Sequence, residues 1–160
     1  VGCCFAAGEG RRVGAWFCNE AVPPFAVVEH QDRFLTQQAA AVRGRAWLRD
    51  LATQHDNFEY YTAISREVTS DGSPGEYVDR RIERDIEVFG PFLESSRTLM
   101  YVCGLEGMQY GLYRMLARQG LIAPYIQVAA EFDGVPPDEW PEKRMKRRCK
   151  ATRRAIIELY

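Results

Sequence analysis

The stretch Leu99-Met-Tyr-Val-Cys-Gly-Leu-Glu-Gly-Met108 constrains the fold more than any other part of this 160-residue chain. A short apolar run ends in a cysteine and a glycine, and a second glycine opens a helical pattern. Buried strands of parallel sheets deliver their carboxyl ends to ligands in this way, and in open α/β sheets those ends are where nucleotides bind. Glycine lets the backbone approach a ligand closely. The start of the next helix offers N–H groups that have no acceptor within the helix.

The rest of the chain supplies partners for such a strand. Val13-Gly-Ala-Trp-Phe-Cys18 and Phe58–Ile64 read as strands, the second rich in aromatics. Glu29–Val42 is polar and alanine-rich, with Phe34, Leu35 and Val42 as apolar points, and reads as a helix that Gly44 interrupts. A second short helix is expected over Arg45–Thr53. Thr69-Ser-Asp-Gly-Ser-Pro-Gly75 is the clearest loop. After it Val78, Ile82, Ile86, Phe89 and Leu93 recur at helical spacing, and Pro91 is expected to kink or restart that helix. Gly107–Gln119 reads as a helix with Met108, Leu112, Met115 and Leu116 inward and Gly120 as its stop. Pro136-Pro137 breaks a longer connection, Asp138 is placed to cap a final helix reaching Cys149, and Ala155–Leu159 reads as the last strand. Strands and helices alternating at these lengths predict an α/β fold: an open parallel sheet flanked by helices, in a single domain over residues 1–160.

Composition sets the outer bounds. The length suffices for a sizeable core, and 46% hydrophobic with 27% charged residues is ordinary for a globular chain. A net charge of -1 argues against nucleic-acid binding by the protein as a whole. No apolar run is long enough to cross a bilayer. The first residue is Val rather than Met, so a processed product or part of something longer is expected. The five cysteines show neither a CxxC pair nor a Cys/His ligand spacing, so reduced thiols and no metal site are expected. The local anomaly is the densely basic run Lys143–Arg154. It reads either as a solvated helix face or as a docking surface for an acidic partner or a membrane headgroup layer.

Several side chains carry chemistry. Ser65 and Arg66 follow a strand, and a hydroxyl beside a guanidinium suits a phosphate monoester; the triplet with Glu67 equally fits a turn and a helix start. Tyr77, one loop later, offers a ring to an adenine. The Cys103 thiol is short enough to approach a flat cofactor ring, or it can bury as a small hydrophobe. Tyr160 ends the chain directly after an apolar strand, where it can shield a planar group or fray.

Taken in order, Ile64-Ser-Arg-Glu67, Tyr77, Tyr101-Val-Cys-Gly-Leu-Glu-Gly-Met108 and the terminal Ile157-Glu-Leu-Tyr160 resemble the NADP-binding domain of plant-type ferredoxin–NADP reductases. Asp56-Asn-Phe58 looks like that family as well. The resemblance covers Asp56–Gly120 and returns for the last few residues. It implies that Ser65 and Arg66 hold the 2′-phosphate of NADP and that Tyr77 stacks on its adenine. It implies that Cys103, Gly104, Leu105 and Met108 line the pyrophosphate and nicotinamide end. Cys103 and Glu158 would sit near the hydride-transfer locus, and Tyr160 would cover a flavin ring; these three are the catalytic positions it implies. It further implies ferredoxin or a multisubunit photosynthetic electron-transfer complex as partner and a plastid or cyanobacterial setting, while peripheral membrane contact stays one of the readings of the Lys143–Arg154 charge run.

The chain also departs from that family. The flavin-barrel motifs of Arg-x-Tyr-Ser and Gly-x-Cys-Ser type are not found in it, nor is the Gly-Thr-Gly-Ile-Ala-Pro phosphate loop. Ala6-Ala-Gly-Glu-Gly10 stands as a distant remnant of that loop, with Glu9 opposing a pyrophosphate. Gly75 and Asp79 stand where the family often carries Lys and Gln. FAD is therefore expected only where a flavin domain is supplied elsewhere, and the chain is expected to be N-terminally incomplete relative to the family. The connection over 121–141 is longer than the family's and is expected to be a surface elaborated for contact. Two functions follow from the resemblance. One is a domain that binds NADP(H) for flavin-mediated electron transfer. The other is a catalytically degenerate accessory subunit of a larger complex.

Overall fold

The structure is a computed structural model that describes residues 14–19, 25–31, 39–55, 58–64 and 75–159, with side chains over 46–55, 58–63 and 75–159. From the amino end come β1 (Gly14–Asn19), β2 (Phe25–Gln31), α1 (Ala39–Gln54), β3 (Phe58–Ile64), α2 (Val78–Arg84) and α3 (Ile86–Glu94). Then follow β4 (Thr98–Gly104), α4 (Glu106–Arg118), β5 (Ile126–Val128), α5 (Glu142–Arg148), β6 (Cys149–Ala151) and β7 (Ala155–Leu159). Single 3-10 turns at Ala130–Phe132 and Pro137–Glu139 punctuate the stretch between β5 and α5.

The central run is the expected strand, and its burial alternates residue by residue from Thr98 to Gly104. Thr98, Met100 and Val102 face a packed core, while Leu99, Tyr101 and Cys103 are half-buried on the other face. Among the described residues, five strands form one sheet in the order β3-β2-β1-β4-β7. β2 pairs with β3 in parallel and β4 pairs with β7 in parallel. The α/β architecture of an open sheet flanked by helices is therefore the expected one, with one difference. β1 runs antiparallel to both of its neighbours, β2 and β4. Only residues 20–24 join β1 to β2. Parallel neighbours need a crossover of about a dozen residues or more, so a link this short makes the pair a hairpin.

Other boundaries also move. Phe25–Gln31 is a strand, so Glu29, His30 and Gln31 belong to a parallel ladder with β3 rather than to a helix. The helix that follows is continuous through Gly44, from Ala39 to Gln54. Pro91 lies inside α3; the break in the long helical pattern falls at Asp85 instead. There the backbone leaves helical geometry (φ -100°, ψ 35°), and the Asp85 carboxylate receives Arg84 Nε at 3.0 Å. Arg81 Nε lies 2.8 Å from Asp85 Oδ2, an ion contact whose angle falls outside hydrogen-bond geometry. Asp138 does not cap the last helix, which begins after Pro141 and is short. Asp138 instead accepts from Arg118 Nη1 at 2.5 Å.

The core lies between the sheet and helices α2, α3 and α4. Val78 and Ile82 of α2, Phe89 and Leu93 of α3, and Leu112, Met115 and Leu116 of α4 are buried against Ala63, Met100 and Val102 of the sheet. The connection over 121–141 contributes to this core as well as to the surface. Tyr125, Ile126, Phe132 and Trp140 are all buried. Trp140 tilts against Phe132 with centroids 4.7 Å apart and donates from Nε1 to Val135 O at 3.0 Å. The two-stranded sheet β5-β6 closes this side, with Val128 opposite Cys149.

Helices α2 and α4 lie side by side and run in the same direction. Near the start of α2 the Asp79 carboxylate packs over Gly111, midway along α4, where a Cβ would come within 2.9 Å of Asp79 Cγ. Near their ends Arg118 grips Glu83 with two hydrogen bonds, Nε to Oε1 at 2.8 Å and Nη2 to Oε2 at 2.9 Å. The Arg118 hydrogen bonds hold the Glu83 carboxyl below its ordinary value, against a smaller opposing effect of burial. A carboxyl depressed in the folded state adds stability that is complete above its unfolded pKa of about 4.3 and is lost as pH falls through the folded value. Glu83→Gln is accordingly expected to cost about 1–2 kcal/mol at pH 7, where the pair is fully charged. The difference between variant and parent should shrink toward pH 3. Urea midpoints at the two pH values check this; a loss that is the same at both would contradict it.

Candidate functional site at the carboxyl rim of the sheet

Strand register places the candidate residues. Thr62, Glu29, Gly14, Cys103 and Glu158 form one row across the five strands. The carboxyl ends of β2, β3, β4 and β7 all lie beyond that row, along one rim of the sheet. β1 alone contributes its amino end there. β3 and β7 are four strand spacings apart, about 19 Å. Chain order leaves β1 toward β2 on one side while β4 lies on its other side, so the order switches between β1 and β4. Ligands of open α/β sheets bind outside the carboxyl ends at such a switch.

At the β4–β7 end the structure brings four of the expected positions together. Cys103 is half-buried and directly opposite Glu158 on the neighbouring strand. Gly104 is buried and adopts φ +156°, a backbone that residues with a side chain rarely take. Leu105, 56% exposed, occupies the N-cap of α4 and makes no side-chain capping bond. Its carbonyl accepts from the N–H of Met108 at 3.0 Å, and Met108 itself packs partly buried against the core. Glu158 is exposed and accepts a hydrogen bond at Oε2 from the Tyr101 hydroxyl. Tyr77 stands at the N-cap of α2, 55% exposed. Because α2 and α4 run in parallel, it lies at the same end of the molecule as the start of α4. Ser65, Arg66 and Tyr160 lie outside the described residues.

Charges around Tyr77 are matched internally. Glu76 accepts from Arg84 Nη1 at 2.7 Å and from Arg81 Nη1 at 3.5 Å, while Arg80 pairs with Glu83 at 3.1 Å. At the start of α4, Glu106 receives Lys146 Nζ of α5 at 2.5 Å. That bond raises the Lys146 ammonium above its ordinary pKa. An open depression of about 620 Å³ lies beside Lys146, lined also by Lys143 and Arg147. Most of the basic run is exposed, as a solvated face requires; Arg154 is the exception and is half-buried. Among the described residues, no cluster of His, Cys, Asp and Glu could hold a metal ion, and no helix is long and apolar enough to cross a membrane. Cys149 is buried in β6, and burial pushes its thiol up to about 11.

Two features of the site are not among the sequence candidates. Tyr101 shares the half-buried face of β4 with Cys103, two residues away, and that period-two spacing was the available signal. The pairing of Glu106 with Lys146 crosses 40 residues of sequence and left no local signal.

No protein-family model matches the chain. Curated relatives do, two plant reductases among them. The chloroplastic ferredoxin–NADP reductase leaf isozyme 1 of Arabidopsis thaliana is 29% identical over 105 residues, 66% of this chain and 25% of that protein. The chloroplastic leaf-type isozyme of Nicotiana tabacum is 27% identical over 105 residues, with the same coverage. These matches support a relationship to the ferredoxin–NADP reductases. With it comes a reductase-like domain, and the helix-flanked α/β sheet is consistent with that family's NADP-binding fold. The matched stretch spans a quarter of the length of those relatives.

Proposed function

We propose that this chain is one NADP-binding-like domain of the reductase type, and that the carboxyl rim of its sheet binds NADP(H) for flavin-mediated electron transfer. The observation that carries the reading is the cluster of Cys103, Gly104, Leu105 and Glu158 at the β4–β7 rim, beside the open start of α4. Its chemistry suits a pyridine nucleotide. A buried glycine lets a flat ring or a pyrophosphate approach the backbone, and uncapped N–H groups at a helix start favour an anion. In this reading Ser65 and Arg66 hold the 2′-phosphate, Tyr77 stacks on the adenine, and Gly104, Leu105 and Met108 line the pyrophosphate. Cys103 and Glu158 flank the nicotinamide, and Tyr160 shields the flavin face until the nicotinamide replaces it. Bound there, the nicotinamide supplies a hydride donor or acceptor. The chain's own residues orient the ring and keep water from its face. FAD enters this reading only where a flavin domain is supplied elsewhere. Ferredoxin or a multisubunit photosynthetic complex, in a plastid or cyanobacterial setting, is the partner this reading favours. The exposed cations of Lys143–Arg154 are the surface offered to such a partner or to a membrane.

Titration calorimetry and thermal melts with NADP+ test the nucleotide site. Saturation at 100 times the dissociation constant is expected to add about 2.7 kcal/mol of stability, read as a rise in Tm. No heat and no rise in Tm at millimolar NADP+ would sink it. One observation favours the accessory-subunit alternative: Asp79, an anion where the reductase family often carries Gln, stands in the first turn of the helix that Tyr77 opens. That alternative expects no nucleotide binding and co-purification with a multisubunit complex.

A further inference from the structure

We infer that Tyr101 is a positioning residue that fixes the Glu158 carboxylate beside Cys103, so that the rim discriminates nicotinamide-bearing nucleotides from their adenine halves. The inference rests on the proposed nucleotide site and adds to it a residue that does not itself touch the ring.

The argument begins with register. Tyr101 lies opposite Ile156 on β7, and Cys103 lies opposite Glu158. Tyr101 and Glu158 are thus diagonal neighbours on one face of a parallel pair. Diagonal neighbours are within reach of each other when one is aromatic and the other long. The Tyr101 phenol uses that reach and donates to Glu158 Oε2. Glu158 is exposed near the carboxyl end of an edge strand, and an untethered glutamate there would spread over many rotamers. The phenol occupies one carboxylate oxygen and limits the spread. The other oxygen can then accept a hydrogen bond from a ligand donor that arrives against Cys103. A nicotinamide carries such a donor in its carboxamide N–H; an adenosine 2′,5′-bisphosphate does not reach this end. Tyr101 is half-buried and Glu158 exposed, so removing the phenol oxygen alters the tether without opening the core.

The test measures dissociation constants of NADP+ and of adenosine 2′,5′-bisphosphate for the full chain, for Tyr101→Phe, for Glu158→Gln and for the double variant. The expected result is that Tyr101→Phe weakens NADP+ about three- to tenfold and leaves the bisphosphate unchanged. The double variant should be no weaker than Glu158→Gln alone, because both changes remove the same contact. Equal losses for the two ligands, strictly multiplicative losses in the double variant, or no loss in Tyr101→Phe would overturn the positioning role while leaving the nucleotide site standing. Failure of the unmodified chain to bind either ligand would overturn the nucleotide site itself, and this inference with it. Because Glu158 is exposed, Glu158→Gln remains a readable variant even if Tyr101→Phe folds poorly.

Discussion

Phe89→Ala is expected to lower the free energy of unfolding by about 3–5 kcal/mol, the range for an aromatic deleted from a packed core. Phe89 is fully buried in α3. Its ring meets Tyr61 of β3 edge to face, with centroids 4.9 Å apart. That geometry adds about 0.5–1.5 kcal/mol beyond the area buried. Tyr61 is held in turn: its hydroxyl donates to Glu59 Oε2 at 2.5 Å, and the Arg81 guanidinium lies 5.7 Å from its ring centroid. Burial first, and the Glu59 carboxylate second, push the Tyr61 phenol up to about 12. The ring therefore cannot follow a shrinking neighbour without giving up its own contacts, and the cavity should stay open. A domain stable by about 5–15 kcal/mol would lose a large part of its margin. Val88 is the control. It is 41% exposed on the same helix, and Val88→Ala should change the free energy of unfolding by less than about 0.5 kcal/mol. A Phe89→Ala loss as small as the Val88→Ala one would mean that α3 does not pack on the sheet as described.

That packing was partly readable in advance. The 3.6-residue recurrence of Val78, Ile82, Phe89 and Leu93 marks one apolar face, and all four are buried. The strands β3 and β4 were equally plain, because each is a short apolar run closed by turn residues. β2 was hidden for a physical reason. Its second half, Glu29-His-Gln31, is polar and runs on toward alanine-rich helical sequence, so local composition argued for a helix. Only pairing with β1 and β3 makes it a strand, and pairing is not a local property. The reversed β1 follows from the same omission. With β2 recognised, the short link over 20–24 forces a hairpin. At the rim, Cys103 and Gly104 announced themselves in sequence, whereas their proximity to Glu158 depends on the parallel register of β4 and β7, 55 residues apart at that row. Asp138 misled because a carboxylate before a helix suggests a cap, while the stronger bond available to it was Arg118, a surface partner 20 residues away in sequence.

The basic run hides the residue with the second large effect. Arg154 ends Lys143–Arg154 and reads as one more surface cation, yet it is half-buried and bonded on several sides. Its Nε donates to Thr98 O at 3.0 Å, and its Nη2 donates to Ser95 O and, at 3.4 Å, to the Tyr125 hydroxyl. The guanidinium carbon sits 4.9 Å from the Tyr125 ring centroid. Tyr125 donates onward to Leu93 O at 2.8 Å, and the Arg154 carbonyl accepts from Met100 N at 2.8 Å. One side chain thus joins the end of α3, the start of β4 and the 121–141 connection at the point where β7 begins. Removing it takes a charged donor from the Ser95 and Thr98 carbonyls and frees the entry to β7. Arg154→Ala is expected to cost about 2–4 kcal/mol, the sum of a few bonds to a charged group. Arg154→Lys should recover less than half of that, because an ammonium cannot address carbonyls and a phenol that diverge around a planar fork. Arg153, exposed next to it, should tolerate alanine within about 0.5 kcal/mol. Tyr125→Phe should cost less than Arg154→Ala, and the two together should cost less than their sum, since they share a contact. Amide exchange is the sharper readout: the β7 amides of Ile156 and Glu158 should lose protection before those of α4 do, because Arg154 anchors the strand that carries Glu158 to the rim. Equal denaturant midpoints for Arg153→Ala and Arg154→Ala would return Arg154 to the solvated face.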